Sequence, residues 1–246
     1  MSNSCVITNE EGWYKKALDT DLARPKFAIM NPEITYTLPE YQTQCGCADI
    51  MMHTMERYFV LEDTMEITDK IAQDVMKNVM KYAKILKKDP ENYEARAEIM
   101  WCGSLSHNGL TGCGTCGGDW ATHLMEHELG GMFDVAHGAG LAAVWGSWAR
   151  YVMDEKPERF AQFAVDVMGV EESDDVKSTA LKGIEAVEEF YRMIEMPTNM
   201  KELGINPTDE QIKDMAMKAT NHDTQQLGAF KKLSAKDLVE IYKTAK

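Results

Sequence analysis

The sequence predicts a mainly α-helical protein preceded by a short stretch of α/β character. From Pro39 onward apolar residues recur at helical spacing, punctuated by residues that start and stop helices. Before Pro39 they fall instead into two short runs, Cys5–Thr8 and Lys26–Met30, which read as strands. A chain of 246 residues can bury a sizeable core. We divide it into residues 1–38, strands and linker, and residues 39–246, an all-helical domain.

In chain order, a short helix over Trp13–Asp19 is expected between the two strands, and two strands alone make a marginal sheet. Asn31 to Pro39 is an extended connection, held so by Pro32 and Pro39. The helix from Pro39 to about Val60 carries Asp49 and His53 and ends on the more polar Glu56-Arg57. From about Glu66 to Lys88, Ile71, Val75, Val79, Tyr82 and Leu86 form an apolar stripe. Lys77, Lys81, Lys84 and Lys88 form a second stripe, read as a solvated face, and Asp89-Pro90 stops the helix. Asn92–Asn108 is the next helix, followed by a glycine-rich loop from Gly109 to Gly118. Gly130-Gly131 is expected to interrupt the helix that follows, with a buried helix from Gly138 to about Val152. Pro157, Ser173, Thr208 and Ser234 open four further amphipathic helices, giving eight or nine in all.

The formal net charge of −14 and pI near 4.9 argue against nucleic acid and anionic membranes as partners. The N-terminus lacks a basic region followed by an apolar run, and no stretch approaches the ~20 apolar residues of a membrane span, so a cytoplasmic location is expected. Six cysteines are too few for a disulfide scaffold in a chain this long. Cys45-Gly-Cys47 and Cys113-Gly-Thr-Cys116 lack the spacing and partners of a zinc knuckle and read as small structural residues beside the site described next.

Three of the six histidines fall within residues 120–140. His123 and His127 stand four apart, on one helical face, and His137 follows a glycine-rich bend, so two helices can aim His123 and His137 at one point. Far upstream, Asp49 and His53 are again four apart, among Ile50, Met51, Met52 and Met55, where unpartnered polar groups would be costly. Singly, each pair reads as an ordinary helix-surface contact. Together they offer three imidazole nitrogens and one carboxylate oxygen, a set suited to Zn2+ or Fe2+. With an open coordination position, such a metal polarises a carbonyl oxygen as a Lewis acid.

Asp49-x-x-x-His53, His123-x-x-x-His127-Glu, His137-Gly and the upstream Pro-Glu-Ile-Thr-Tyr-Thr-Leu-Pro together resemble the iron-containing alcohol dehydrogenases, in particular their NAD(P)H-dependent butanol dehydrogenase-like branch. The resemblance runs over nearly the whole chain, to Leu227-Gly-Ala-Phe230 and the last helix. It implies the C-terminal metal-binding domain of the iron-containing alcohol dehydrogenase/dehydroquinate synthase-like fold and an enzyme that interconverts primary alcohols and aldehydes with NAD(P)H. The family's metal ligands fall on Asp49, His53, His123 and His137, and its nearby non-ligating histidine on His127, a candidate proton relay. Tyr36, Thr37 and Leu38 fall where the nicotinamide end would approach.

The family's nucleotide-binding domain, with its Gly-Gly-Gly-Ser phosphate loop, has no counterpart here, and neither G-x-G-x-x-G nor G-x-x-x-x-G-K-[ST] occurs. Residues 1–38 then correspond to the tail of that domain. Turnover by a truncated chain would require a nucleotide-binding half, and pairing with one, or a homodimer, is the expected association beyond a small alcohol or aldehyde substrate. Two other readings compete: a non-catalytic metal-binding domain, and a zinc peptidase, because His123-Leu-Met-Glu126-His127 fits H-x-x-E-H with Glu126 as general base. The peptidase reading needs His127 on the metal and leaves Asp49 free. His222-Asp223 reads as a helix terminus.

Overall fold

The computed structural model describes residues 2–62 and 65–246. It opens on an antiparallel hairpin, β1 (Ser4–Asn9) and β2 (Tyr14–Asp19), with Ser4 opposite Asp19 and Asn9 opposite Tyr14. The helix expected over Trp13–Asp19 is therefore a strand. Gly12 and Trp13, both at positive φ, supply the tight reversal that pairs the two segments. Residues 26–30, expected as a strand, have no strand partner among the described residues, and Phe27 and Ile29 are largely exposed. The connection from Asn31 is not extended but a 3-10 turn over Pro32–Thr37. The Asn31 side chain accepts from Glu33 N at 3.1 Å, and Pro32 supplies the φ such a turn needs.

Nine α-helices follow among the described residues: α1 (Glu40–Tyr58), α2 (Glu66–Leu86), α3 (Tyr93–His107), α4 (Ala121–Phe133), α5 (His137–Val152), α6 (Pro157–Asp166), α7 (Val176–Met193), α8 (Asp209–Ala219) and α9 (Ala235–Ala245). Thr208 and Ser234 start the last two with reciprocal capping boxes, Thr208 with Gln211 and Ser234 with Asp237. The lysine stripe on α2 faces solvent, as expected. No helix is long and apolar enough to cross a membrane among the described residues.

Helix α5 is the spine, packing against α1, α4, α7 and α9. Its Trp145 and Trp148 are buried beside Phe59, whose ring stacks on Phe160 at 4.3 Å between centroids. Phe163 and Phe230 close the same aromatic cluster. The cluster fixes the ends of α1, α5 and α6 to the loop before α9, using the residue type that buries most area per side chain.

Gly130-Gly131 does not break α4. The helix runs through both, and the chain turns instead at Asp134, which adopts positive φ. The glycines serve packing: a Cβ on Gly131 would lie 2.7 Å from the Trp13 carbonyl oxygen, and one on Gly130 would lie 2.7 Å from Lys15 Nζ. The hairpin thus lies directly on α4, with Lys15 reaching Glu126 and Lys16 reaching Glu128, each at 3.3 Å.

The start of α4 is tied down from the far end of the chain. Asp119 Oδ2 accepts from Ala229 N and Phe230 N, both at 2.7 Å, and Oδ1 accepts from Ala121 N at 3.0 Å. Leu227-Gly-Ala-Phe230 therefore acts as an anchor for the segment that carries the histidines. Tyr242 of α9 adds a second tie, its hydroxyl donating to the Met125 carbonyl at 2.7 Å.

Candidate metal centre

Four helices bring the titratable residues together. Asp49, His53 and Glu56 lie on one face of α1 at spacings of four and three, so all three point the same way. His123, Glu126 and His127 come from α4, His137 is the first residue of α5, and His107 is the last residue of α3. The expected bend between α4 and α5 does aim His123 and His137 at one carboxylate, though the bend lies at Asp134–Ala136.

Asp49 Oδ1 is the point of convergence. It lies 3.6 Å from His53 Nε2, 3.7 Å from His123 Nε2 and 3.5 Å from His137 Nε2. These separations are long for hydrogen bonds. For Asp49, His53 and His123, whose ligand atoms all lie within 4.8 Å of one another, they are near the ~3.4 Å between ligands on a tetrahedral centre with bonds of about 2.1 Å, whereas His137 approaches Asp49 but forms its mutual 4.8 Å group with Glu126 and His127. Asp49 Oδ1 and His123 Nε2 are buried with no hydrogen-bond partner among the described residues. An oxygen and a nitrogen left unmatched in this way are costly unless something else meets them. The donor set and these orphaned atoms fit a divalent cation.

Carboxylates behind the ring orient two of the imidazoles. Glu56 Oε1 accepts from the His123 backbone N–H at 3.0 Å and lies 3.0 Å from His123 Nδ1. Glu126, fully buried, hydrogen-bonds His137 Nδ1 through Oε2, which Lys15 also approaches. Its carboxylate sits in a slot lacking side chains on two sides: Cβ atoms on Gly130 and Gly140 would each come within 2.9 Å of it. With Nδ1 protons held on carboxylates, both rings turn Nε2 toward Asp49. Neither role was visible in the sequence. In the sequence Glu56 is the polar end of a helix, although its spacing from Asp49 places it on the ligand face, and Glu126 stands out only as a candidate peptidase base.

The charges follow from these contacts. Burial, with His123 alongside, pushes the His53 imidazole down to about 2, so the ring is neutral and one of its two nitrogens keeps a lone pair free to bind. Burial opposes protonation of His123 too, but Asp49 and Glu56 outweigh it and raise that ring to about 9. Burial would raise Asp49, yet the histidines around it hold its carboxyl well below the usual range.

His127 lies one turn along α4 from His123, in a group with Glu126 and His137 whose ligand atoms fall within 4.8 Å of one another. Burial and the neighbouring His137 lower it to about 3. It stands beside the Asp49 cluster without joining it, whereas the peptidase reading pairs it with His123 and leaves Asp49 idle. Cys45 and Cys47 are buried on α1 and Cys113 and Cys116 are exposed in the glycine-rich loop; all are free thiols.

The cluster opens on a cavity of ≈ 660 Å³ walled by Trp120, Leu124, His127, Arg57 and the hairpin residues Val6 and Ala17. Trp120 meets the rings of His53 and His123 edge-on at 5.4 and 5.2 Å, and the Arg57 guanidinium lies 4.5 Å over its indole. Tyr36, Thr37 and Leu38 are not among the residues lining this cavity; Thr37 and Leu38 are exposed on the 3-10 turn and its end. The structure thus does not bring the expected nicotinamide segment and the histidine cluster into one pocket.

Residues 43–246 match the family model described as Fe-containing alcohol dehydrogenase family, C-terminal. The chain belongs to that family. Within it, the chain is 34% identical over 244 residues to NADH-dependent butanol dehydrogenase A of Clostridium acetobutylicum, covering 99% of this chain and 62% of that protein. It is 31% identical over 242 residues to an NADPH-dependent aldehyde reductase of Escherichia coli, covering 98% and 61%. The crystal structure of NADH-dependent butanol dehydrogenase A from Thermotoga maritima superposes with a TM-score of 0.92 at 34% identity, over 100% of this chain and 62% of that one. The chain therefore spans about 62% of the length of the family relatives it matches.

The close approach of α1 and α5 gives a direct test of how tightly the family's helical frame holds the cluster. A Cβ on Gly138 would lie 2.0 Å from the Cys45 carbonyl oxygen, one turn before Asp49 on α1. Gly138→Ala is expected to push the helices apart, lowering stability by about 1–3 kcal/mol in the manner of an overpacked core. It should also weaken metal binding by displacing His137. Urea unfolding and metal titration of the variant check both effects.

Proposed function

We propose that this chain forms the metal-binding part of an alcohol dehydrogenase that interconverts primary alcohols and aldehydes with NAD(P)H, the metal, Fe2+ or Zn2+, being held by Asp49, His53, His123 and His137. The observation that carries the proposal is the convergence of three imidazole nitrogens on one carboxylate oxygen that has no hydrogen-bond partner among the described residues. Relatives named as NADH-dependent butanol dehydrogenases and an NADPH-dependent aldehyde reductase support the reaction and the cofactor class.

A cation bound there would supply Lewis-acid polarisation of an aldehyde oxygen, and the nucleotide would supply the reducing equivalents. The chain's own residues do the rest. Glu56 and Glu126 hold the rings of His123 and His137 in the tautomer that leaves Nε2 for the metal. We assign to His127, on the cavity wall, the transfer of a proton to or from the alcohol oxygen. Trp120, Leu124 and the hairpin narrow the approach, so the reacting group meets fixed dipoles in place of bulk water.

The test is metal uptake by the purified chain, followed by aldehyde reduction with NADH or NADPH, alone and with a nucleotide-binding half supplied. One equivalent of Zn2+ or Fe2+ is expected to bind. At a hundred times its dissociation constant it should stabilise the fold by about 2.7 kcal/mol. For a chain of this size that corresponds to a rise of roughly 5–10 °C in Tm. A chain that takes up no metal and shows no thermal shift would contradict the proposal.

A further inference from the structure

Cys113 and Cys116 read in the sequence as small structural residues, yet both are exposed, whereas Cys45, Cys47 and Cys102 are buried. Between the two exposed thiols the chain turns. Cys113 has φ −62° and ψ 130°, Gly114 has φ +84°, and the Thr115 N–H donates to the Gly112 carbonyl at 3.3 Å, a type II turn over Gly112–Thr115. A second glycine at positive φ, Gly117, directly follows Cys116. Without side chains, both positions let the backbone re-form at little steric cost. In this dithiol form Cys113 Sγ faces the Gly109 carbonyl at 3.6 Å and Cys116 Sγ the Gly118 carbonyl at 3.9 Å. The two ends of the loop are held unequally. Thr68 of α2 donates to the Cys113 carbonyl at 3.0 Å, and Gly112 is pressed onto Arg57, where a Cβ would lie 3.0 Å from Cδ. The other end seats Trp120, whose indole N–H donates to the Gly117 carbonyl at 3.0 Å. Movement that brings the sulfurs together is therefore taken up between Thr115 and Gly118.

We propose that Cys113 and Cys116 form a reversible thiol–disulfide site, oxidised by a low-molecular-weight disulfide such as that of glutathione, and that its closure shifts the Gly117 carbonyl and with it Trp120 on the cavity wall. The Cys113 thiolate attacks one sulfur of the small disulfide RSSR, forming a Cys113–S–S–R bond and releasing RS−. The Cys116 thiolate then attacks the Cys113 sulfur and releases the second RS−. The two thiol protons end on the two RS− groups, so one RSSR is reduced to two RSH while the cysteine pair loses two electrons. Cys113 attacks first because burial pushes the Cys116 thiol up. The buried cysteines take no part, since burial pushes Cys47 up to about 12 and Cys102 up to about 11. A disulfide in so short and exposed a loop is of the labile kind that small thiols make and break. The Trp120 indole packs edge-on against His53 and His123, so the state of the loop is felt at the mouth of the cavity. The inference stands on the loop and its cysteines, independently of whether a metal binds.

The test is to equilibrate the folded full chain with reduced or oxidised glutathione, trap free thiols with an alkylating reagent, and weigh the peptides by mass spectrometry. Cys5 is the internal control, exposed but with no other cysteine near it in the sequence. In reduced glutathione the reagent is expected to label Cys5, Cys113 and Cys116. In oxidised glutathione the peptide carrying Cys113 and Cys116 should lose both labels and two hydrogens, while Cys5 gains a glutathione; dithiothreitol should reverse both changes. Cys116→Ser removes the second attack and should leave Cys113 held as its glutathione adduct. Tryptophan emission of the parent chain is expected to change on oxidation, and Trp120→Phe should lose that change. Labels retained on Cys113 and Cys116, a separate glutathione on each, or a disulfide joining two chains would overturn the site. A closed Cys113–Cys116 disulfide with unchanged emission would overturn its coupling to Trp120.

Discussion

Asp49→Ala is expected to abolish tight metal binding while His127→Ala leaves it intact. Asp49 supplies the one anionic ligand and touches every histidine of the set, 3.5–3.7 Å from three Nε2 atoms. Four-ligand zinc sites bind with roughly 10–16 kcal/mol, so one ligand in four carries about 3 kcal/mol, on the order of a hundredfold in affinity. The loss should exceed that share, because the remaining direct ligands are three imidazoles, with the nearest carboxylates, Glu56 and Glu126, one ring further from the cation. His127 makes no such contact with Asp49, and its removal should change the proton path and not the metal content. Metal analysis of the two variants after dialysis against chelator decides the matter. A metal-replete Asp49→Ala protein together with a metal-free His127→Ala protein would favour the peptidase reading.

The second large effect is on stability. Arg159 at the start of α6 is buried, donates from both terminal nitrogens to the Asp69 carboxylate at 2.6 and 2.7 Å, and donates to the Tyr58 carbonyl at 2.8 and 3.0 Å. Its guanidinium also lies 3.5 Å from the centre of the Tyr58 ring. One side chain thus ties α2, α6 and the end of α1 together, just after the turn that carries Glu56. Asp69→Ala removes the bidentate carboxylate and leaves a buried positive charge, an expected loss of about 3–5 kcal/mol. Replacing both partners by apolar residues of similar volume, Asp69→Leu with Arg159→Met, should recover much of that loss, since neither charge is then desolvated. Urea unfolding midpoints of the single and double variants read this directly. A single variant within 1 kcal/mol of the parent chain would show that water reaches the pair.

Much of the helical frame was legible because its signals are local. Apolar periodicity set α2, α5 and α7, and Thr208, Ser234 and Pro157 marked where α8, α9 and α6 begin. The strand over Tyr14–Asp19 is not legible in the sequence because its pairing depends on a turn at Gly12-Trp13 and on a partner strand, neither of which leaves a helical or strand period over six residues. Gly130-Gly131 is illegible for a similar reason: glycines that make room for another segment look in the sequence like glycines that end a helix. At the site, Asp49, His53, His123 and His137 stood out by residue type and spacing. Glu56 and His107 did not, since a Glu or His near a helix end reads by default as a solvated group, and Glu126 stands out in the sequence only as a candidate peptidase base.

The sequence by itself determined which residues could serve a metal, because an i, i+4 pair on a helix shares a face whatever the helix packs against. The tertiary structure decided which of them meet, which oxygen of Asp49 they meet on, and what stands behind each ring. Those outcomes depend on contacts between residues far apart in the chain, such as Glu56 with His123, Glu126 with Lys15 and Asp119 with Phe230. Local spacing carries no information about how separate helices are brought together; close packing around α5 does.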